Sequence, residues 1–155
     1  MKVLFLDDRL NNTASEAFAL AQLLELRGHC VERVRSVERA RLALVACVRE
    51  GGLDMAIIDL QLAPPDVPHV SGAAFAREMR SNRALDTTVV VIYTLNETPG
   101  AVTEKNQRSP AWGLWHLRQD TAPTRAVSFV ETIRGEWHGR MPVEPMPDDL
   151  VSSGG

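Results

Sequence analysis

Three aspartates stand directly after two short hydrophobic runs. Asp7 and Asp8 follow the run at 3–6, and Asp59 follows the run at 55–58. If both runs are neighbouring parallel strands, the three carboxylates meet at one edge of the sheet, where α/β proteins bind ligands. Carboxylates packed together repel one another unless a cation joins them, and oxygen-only donors favour Mg²⁺. Because Mg²⁺ keeps waters for phosphate-bearing substrates, the sequence predicts metal-assisted phosphoryl chemistry here.

The length and composition are those of one globular domain. The chain has 155 residues, of which 45% are hydrophobic and 24% charged, and its net charge of -3 gives no electrostatic case for nucleic acid. Cys30 and Cys47 match no disulfide framework or paired-cysteine metal site, which favours a reducing compartment. No stretch approaches the ~20 apolar residues that a bilayer span needs. We therefore expect a cytoplasmic protein that is neither exported nor embedded in a membrane.

Hydrophobic runs alternate with helical patterns over most of the chain, and the pattern predicts five β-α units. Strict alternation of this kind implies a parallel sheet with right-handed crossovers and helices on both faces, a three-layer α/β sandwich. The predicted strands are 3–6, 29–34, 53–60, 87–95 and 113–117. The predicted helices begin after the capping segment 11–13, after Ser36, at Ala73, at Thr98 and at Thr124.

The pattern ends after Trp137. The segment 138–155 contains three prolines, acidic residues and a Ser-Ser-Gly-Gly end. This composition cannot bury enough apolar surface to offset the entropy of ordering the chain. We therefore predict a domain over 1–137 and a flexible tail over 138–155.

The order of these features resembles the receiver domain of bacterial two-component response regulators, over roughly residues 2–137. Phe5-Leu6-Asp7-Asp8 resembles the family's acidic pair after the first strand, and Ile57-Ile58-Asp59-Leu60 resembles its phospho-acceptor at the end of the third. Thr94 is similar to the fourth-strand hydroxyl, and Ser71-Gly72-Ala73-Ala74-Phe75 to the small-residue turn that opens the third helix. The resemblance implies a doubly wound, flavodoxin-like sheet of five parallel strands in the order 2-1-3-4-5.

The resemblance also implies a role for each site residue. Asp59 would accept a phosphoryl group, and Asp7 and Asp8 would hold Mg²⁺ with it, the backbone carbonyl of Gln61 completing the shell. Thr94 would hydrogen-bond the phosphoryl group. The implied donor is a sensor histidine kinase or a phosphotransfer protein. The implied downstream partner is a protein that binds the face formed by the fourth helix, fifth strand and fifth helix.

The sequence departs from the receiver pattern at the end of the fifth strand. Receivers place a lysine there, whose charge balances the phosphoryl oxygens, but this chain has only Lys2 and Lys105, neither at that position. Equal spacing from the fourth strand allows His116, Leu117 or Arg118, and only His116 or Arg118 could carry positive charge. Alternation gives these two the same face. We favour Arg118 because it lies closer to the strand end.

The loop at 62–71 is longer than the corresponding receiver turn and contains three prolines, so His69 could reach the site as a ligand or acid-base group. A stand-alone, phospho-accepting receiver is the leading hypothesis, because no output domain fits in the short tail. One alternative is a pseudo-receiver that binds partners without phosphorylation. The other is a metal-dependent phosphatase or phosphodiesterase with His69 or His116 as its acid-base partner.

Overall fold

One sheet of six strands organises the chain in the computed structural model, which describes residues 1–60, 62, 72–94, 108–109 and 114–137. Five strands are parallel, which confirms the predicted order 2-1-3-4-5, and a two-residue antiparallel strand is added at one edge. That short strand was not predicted, because two residues show no periodicity. In sheet order the strands are β2 (Cys30–Val34), β1 (Lys2–Leu6), β3 (Met55–Asp59), β4 (Val89–Thr94), β6 (Leu114–Arg118) and β5 (Arg108–Ser109).

Four α-helices lie among the described residues, with a 3₁₀ turn at Arg83–Leu85. Ser36 caps the second helix as predicted, since its hydroxyl accepts the Arg39 N–H at 3.2 Å. The first helix is capped by Ser15, beyond the predicted segment 11–13. The predicted helix at Thr98 and the tail at 138–155 fall outside the described residues. The helices are α1 (Glu16–Leu26), α2 (Val37–Arg49), α3 (Gly72–Ser81) and α4 (Pro123–Glu136).

The buried side chains form two clusters, one on each face of the sheet, as the three-layer prediction requires. Alternate strand residues feed the two clusters, so β3 and β4 are buried along their whole length. One cluster joins the sheet to α2 and α3, and the other joins it to α1 and α4. No described helix is long and apolar enough to cross a bilayer. The strand ends therefore project from a rigid, doubly covered sheet.

Candidate functional site

The carboxyl ends of β1 and β3 bring the three predicted aspartates together. Leu6 pairs with Ile58 in the parallel ladder, so the residues that follow, Asp7 and Asp59, lie side by side. Carboxylate oxygens of Asp7, Asp8 and Asp59 all lie within 4.8 Å of one another. Asp7 and Asp59 are buried, at 0% and 5% exposure, while Asp8 is more open. We call these three residues the acid pocket, and its hard oxygen donors suit a divalent cation such as Mg²⁺.

An arginine that the sequence analysis did not single out lies on this pocket. The Arg9 side chain donates from Nε to Asp7 Oδ1 at 3.1 Å and from Nη2 to Asp7 Oδ2 at 2.8 Å, and its backbone N–H donates to Oδ1 at 2.9 Å. The side-chain bonds to Asp7, with the nearby charge of Asp59, raise the pKa of Arg9 above its ordinary value. The acid pocket thus contains a positively charged side chain, which is supplied by the residue directly after Asp7 and Asp8.

A glycine fixes the distance between α3 and the strand that carries Asp59. Gly72 is the first residue of α3, and a Cβ added there would lie 2.7 Å from the Asp59 carbonyl carbon and 2.9 Å from the Leu60 Cα. Any side chain at this position would press on the backbone of the nucleophile candidate. The small-residue turn noted in the sequence therefore has a steric cause.

Thr94, the candidate hydroxyl of β4, and Arg118, the candidate for the position of the receiver lysine, are neighbours on adjacent strands. Thr94, which is buried, pairs in register with Arg118 at the last position of β4 and β6. The Arg118 side chain is half exposed, and its Nε and Nη2 each donate at 3.0 Å to a different oxygen of Asp120. These bonds hold the pKa of Asp120 below its ordinary value. Arg118 therefore lies at the end of β6 beside Thr94, and a surface carboxylate binds its guanidinium.

A buried glutamine, also missed from the sequence, joins β4 to the segment after β6. The Gln119 backbone N–H donates to the Thr94 carbonyl at 3.0 Å, and its side-chain amide donates to the Tyr93 carbonyl at 3.1 Å. Burial, together with the negative charge of Asp7, raises the pKa of the Tyr93 hydroxyl. No pattern marks Gln119, because one polar residue after a strand ordinarily indicates a turn. Its bonds hold the strand end that carries Thr94.

Of the three remaining candidate residues, the structure describes only His116. His116 is buried beside Ile92, two residues before the pair of Thr94 and Arg118, so it lies within the sheet rather than at the strand ends. Gln61 and His69 fall outside the described residues.

A groove of about 760 Å³ opens beside Asp8 at the start of α2. Its lining includes Arg33, Arg35 and Arg39, with Leu42 exposed at one side. Asp8 and Glu32 also line it, and Arg33 forms an ion pair with Glu25 at 2.7 Å. The groove therefore carries charges of both signs beside the acid pocket.

Comparisons with known proteins bear on the fold of the chain. No protein-family model matches the chain, and no curated protein matches it either. Solved structures do match. The receiver domain of the hybrid histidine kinase CckA is 21% identical, with a TM-score of 0.57 over 86% of this chain and 99% of that one. The chemotaxis response regulator CheY4 of Vibrio cholerae is 20% identical, with a TM-score of 0.59 over 85% and 97%.

A response regulator receiver domain protein from Clostridium thermocellum is 16% identical, with a TM-score of 0.64 over 87% of this chain and 94% of that one. The chain has the receiver-domain fold. The acid pocket lies where β1 and β3 end, next to β4, the strand that carries Thr94.

Proposed function

We propose that this chain is a response-regulator receiver that accepts a phosphoryl group on Asp59 and signals through protein-protein interaction. One observation carries the proposal. Asp59 is buried at the end of β3, within 4.8 Å of two further carboxylates, on a sheet of receiver topology. The Arg9 guanidinium offsets part of the repulsion among these acids, and a divalent cation would offset the rest.

Asp7, Asp8 and Asp59 would hold Mg²⁺, with the Gln61 carbonyl as a further oxygen donor by resemblance to receivers. When bound, the ion would neutralise phosphoryl oxygens and align the incoming group. The donor set supports this assignment, because all three side chains offer hard oxygen atoms.

Asp59 would act as the nucleophile. One carboxylate oxygen would form the new bond to phosphorus, while the bond from phosphorus to the donor breaks and its electron pair leaves with the donor. The Thr94 hydroxyl would donate to a phosphoryl oxygen, and Arg118 would supply positive charge after releasing Asp120. His116 is the weaker candidate for that charge because it lies two residues deeper in β6.

The buried position of His116 also favours a phospho-acceptor over a phosphoesterase, since an acid-base group must reach the reacting atoms. The upstream partner would be a sensor histidine kinase or a phosphotransfer protein. The downstream partner would bind the face that includes β6 and α4. We propose no nucleic-acid or membrane partner, and a cytoplasmic location stays a prediction.

The test is phosphorylation by a small donor, read by intact mass. Wild-type protein incubated with acetyl phosphate and Mg²⁺ should gain the mass of one phosphoryl group, slowly because the receiver lysine is missing. Asp59→Asn should gain none. Asp54→Asn is the matched control, because Asp54 precedes the other end of the same strand and should leave the adduct intact. An unmodified wild-type mass after prolonged incubation would rule the phospho-acceptor out.

A pseudo-receiver that binds its partner without phosphorylation is the second candidate. The observation that favours it is the Arg9 guanidinium on Asp7, an internal cation where a receiver would bind metal. The absence of a lysine other than Lys2 and Lys105 points the same way. The same incubation separates the two functions, because a pseudo-receiver gains no mass yet retains its partner binding in Asp59→Asn.

A further inference from the structure

Arg9 occupies both oxygens of the most buried carboxylate in the acid pocket. Asp7 is 0% exposed, and its Oδ1 accepts from the Arg9 backbone N–H and from Nε while its Oδ2 accepts from Nη2. A divalent cation needs lone pairs of these same oxygens. A metal ion and the guanidinium would also repel each other across a few ångströms of partly buried space. Full occupancy by both cations is therefore unfavourable.

A second carboxylate stands close to Arg9 on its solvent side. Nη1 of Arg9 lies 3.7 Å from an oxygen of Glu16, the first residue of α1, whose side chain is 54% exposed. The Arg9 side chain is itself 28% exposed, so solvent can reach it. At this distance the guanidinium already forms a long ion pair with the exposed carboxylate while it binds the buried one. Arg9 thus has two carboxylates within reach, one inside the pocket and one at its rim.

We propose that Arg9 is an exchangeable internal cation that competes with the metal ion for Asp7. Without metal, Arg9 closes on Asp7 and reduces the repulsion among the three aspartates. When a divalent cation binds, Arg9 moves to Glu16. This proposal builds on the metal site of the proposed function and adds a regulatory property, namely that metal binding and therefore phosphoryl acceptance begin only above a raised metal concentration.

The experiment measures Mg²⁺ affinity by isothermal titration calorimetry on the full chain after treatment with a chelator. Arg9→Gln should bind Mg²⁺ roughly tenfold more tightly than wild type, because it removes one competing charge near the site. Arg9→Lys should fall between them, since an ammonium cannot hold both oxygens as the guanidinium does. Glu16→Gln should weaken Mg²⁺ binding about twofold, because it removes the rim partner.

Arg134→Gln is the matched control. Arg134 also binds an aspartate, Asp54, at 3.0 Å, and it is similarly part-exposed, but it lies at the opposite end of the sheet. Its Mg²⁺ affinity should equal that of wild type. In metal-free buffer, Arg9→Gln should melt at a lower temperature than wild type, and Mg²⁺ should restore more of its stability than it adds to wild type.

The outcomes separate this proposal from the proposed function. Saturable Mg²⁺ binding with equal affinity in wild type and Arg9→Gln would overturn the competition and leave the metal site standing. Weaker binding in Arg9→Gln would also overturn it, because Arg9 would then help to build the site. If neither protein binds Mg²⁺, the metal site itself fails and the exchange fails with it. If Arg9→Gln does not fold, Arg9→Lys and Glu16→Gln still decide, since unchanged affinity in both overturns the proposal.

Discussion

Replacing Gly72 by alanine should damage both the stability of the fold and the acid pocket. The added Cβ would lie 2.7 Å from the Asp59 carbonyl carbon, 2.9 Å from the Leu60 Cα, and closer still to the Asp59 carbonyl oxygen. Real Cβ atoms essentially never approach another heavy atom to less than 3.0 Å. All three neighbours are backbone atoms of a buried strand end, so no side-chain rotation can relieve the contact. Either α3 must move outward or the end of β3 must bend.

The energetic size of this change follows from the nature of the contact. Overpacking a buried site ordinarily costs about 1–3 kcal/mol of unfolding free energy. We expect the upper end of that range, because the atoms in conflict belong to two backbones rather than to a flexible side chain. If the end of β3 bends, the Asp59 carboxylate moves relative to Asp7 and Asp8, so Mg²⁺ affinity should fall as well.

Urea unfolding followed by circular dichroism measures the first effect, and calorimetry with Mg²⁺ the second. Gly135→Ala is the matched control, because a Cβ at Gly135, near the end of α4, would meet nothing within 4 Å. That variant should be more stable than wild type by about 0.5–1 kcal/mol, the helix-propensity difference between the two residues. If Gly72→Ala unfolds at the same urea concentration as Gly135→Ala, the steric argument is wrong.

Three further outcomes follow from single contacts. Asp120→Asn should remove a carboxylate that competes for Arg118 and tighten beryllofluoride binding up to about fivefold, since an exposed ion pair is weak; unchanged affinity would show that Arg118 does not serve the phosphoryl group. Gln119→Ala should lower the unfolding free energy by about 1–2 kcal/mol, because it loses the buried side-chain hydrogen bond to β4. Hydrogen bonds from His29 and a neighbouring arginine lower the pKa of Glu131 from 4.5, so their stabilisation is present above pH 4.5 and is lost as pH falls through the lowered value. Acid titration of thermal stability should therefore show a smaller loss in Glu131→Gln than in wild type.

The fold could be predicted because its signals are local. The runs that became β1, β3 and β4 are hydrophobic without interruption, as strands covered on both faces must be. The aspartates were found for the same reason, since a residue that directly follows a buried strand has its position fixed by the strand. Convergence of the three carboxylates then needed only the neighbouring placement of β1 and β3, which the topology supplies.

The partners of the site could not be predicted, because they depend on side-chain direction rather than on periodicity. Arg9 follows the acidic pair by one residue, and nothing in its spacing shows that it turns back onto Asp7 rather than out to solvent. The sequence predicted that Arg118 lies at the end of the last parallel strand. It did not predict the bidentate contact with Asp120, because that contact depends on how the chain turns over the next two residues. Rotamers at strand ends are set by the turn geometry, which sequence patterns define poorly.

The balance of charge in the pocket explains why two arginines matter in a chain without the receiver lysine. Three carboxylates and one guanidinium leave two negative charges in the metal-free pocket, and one negative charge would remain once a divalent cation replaced Arg9 there. A phosphoryl group on Asp59 would then add negative charge that neither cation balances. The cation that pairs in register with Thr94 at these strand ends is Arg118. In this proposal Arg9 acts in the metal-free and metal-bound states, whereas Arg118 would act only once the phosphoryl group is present.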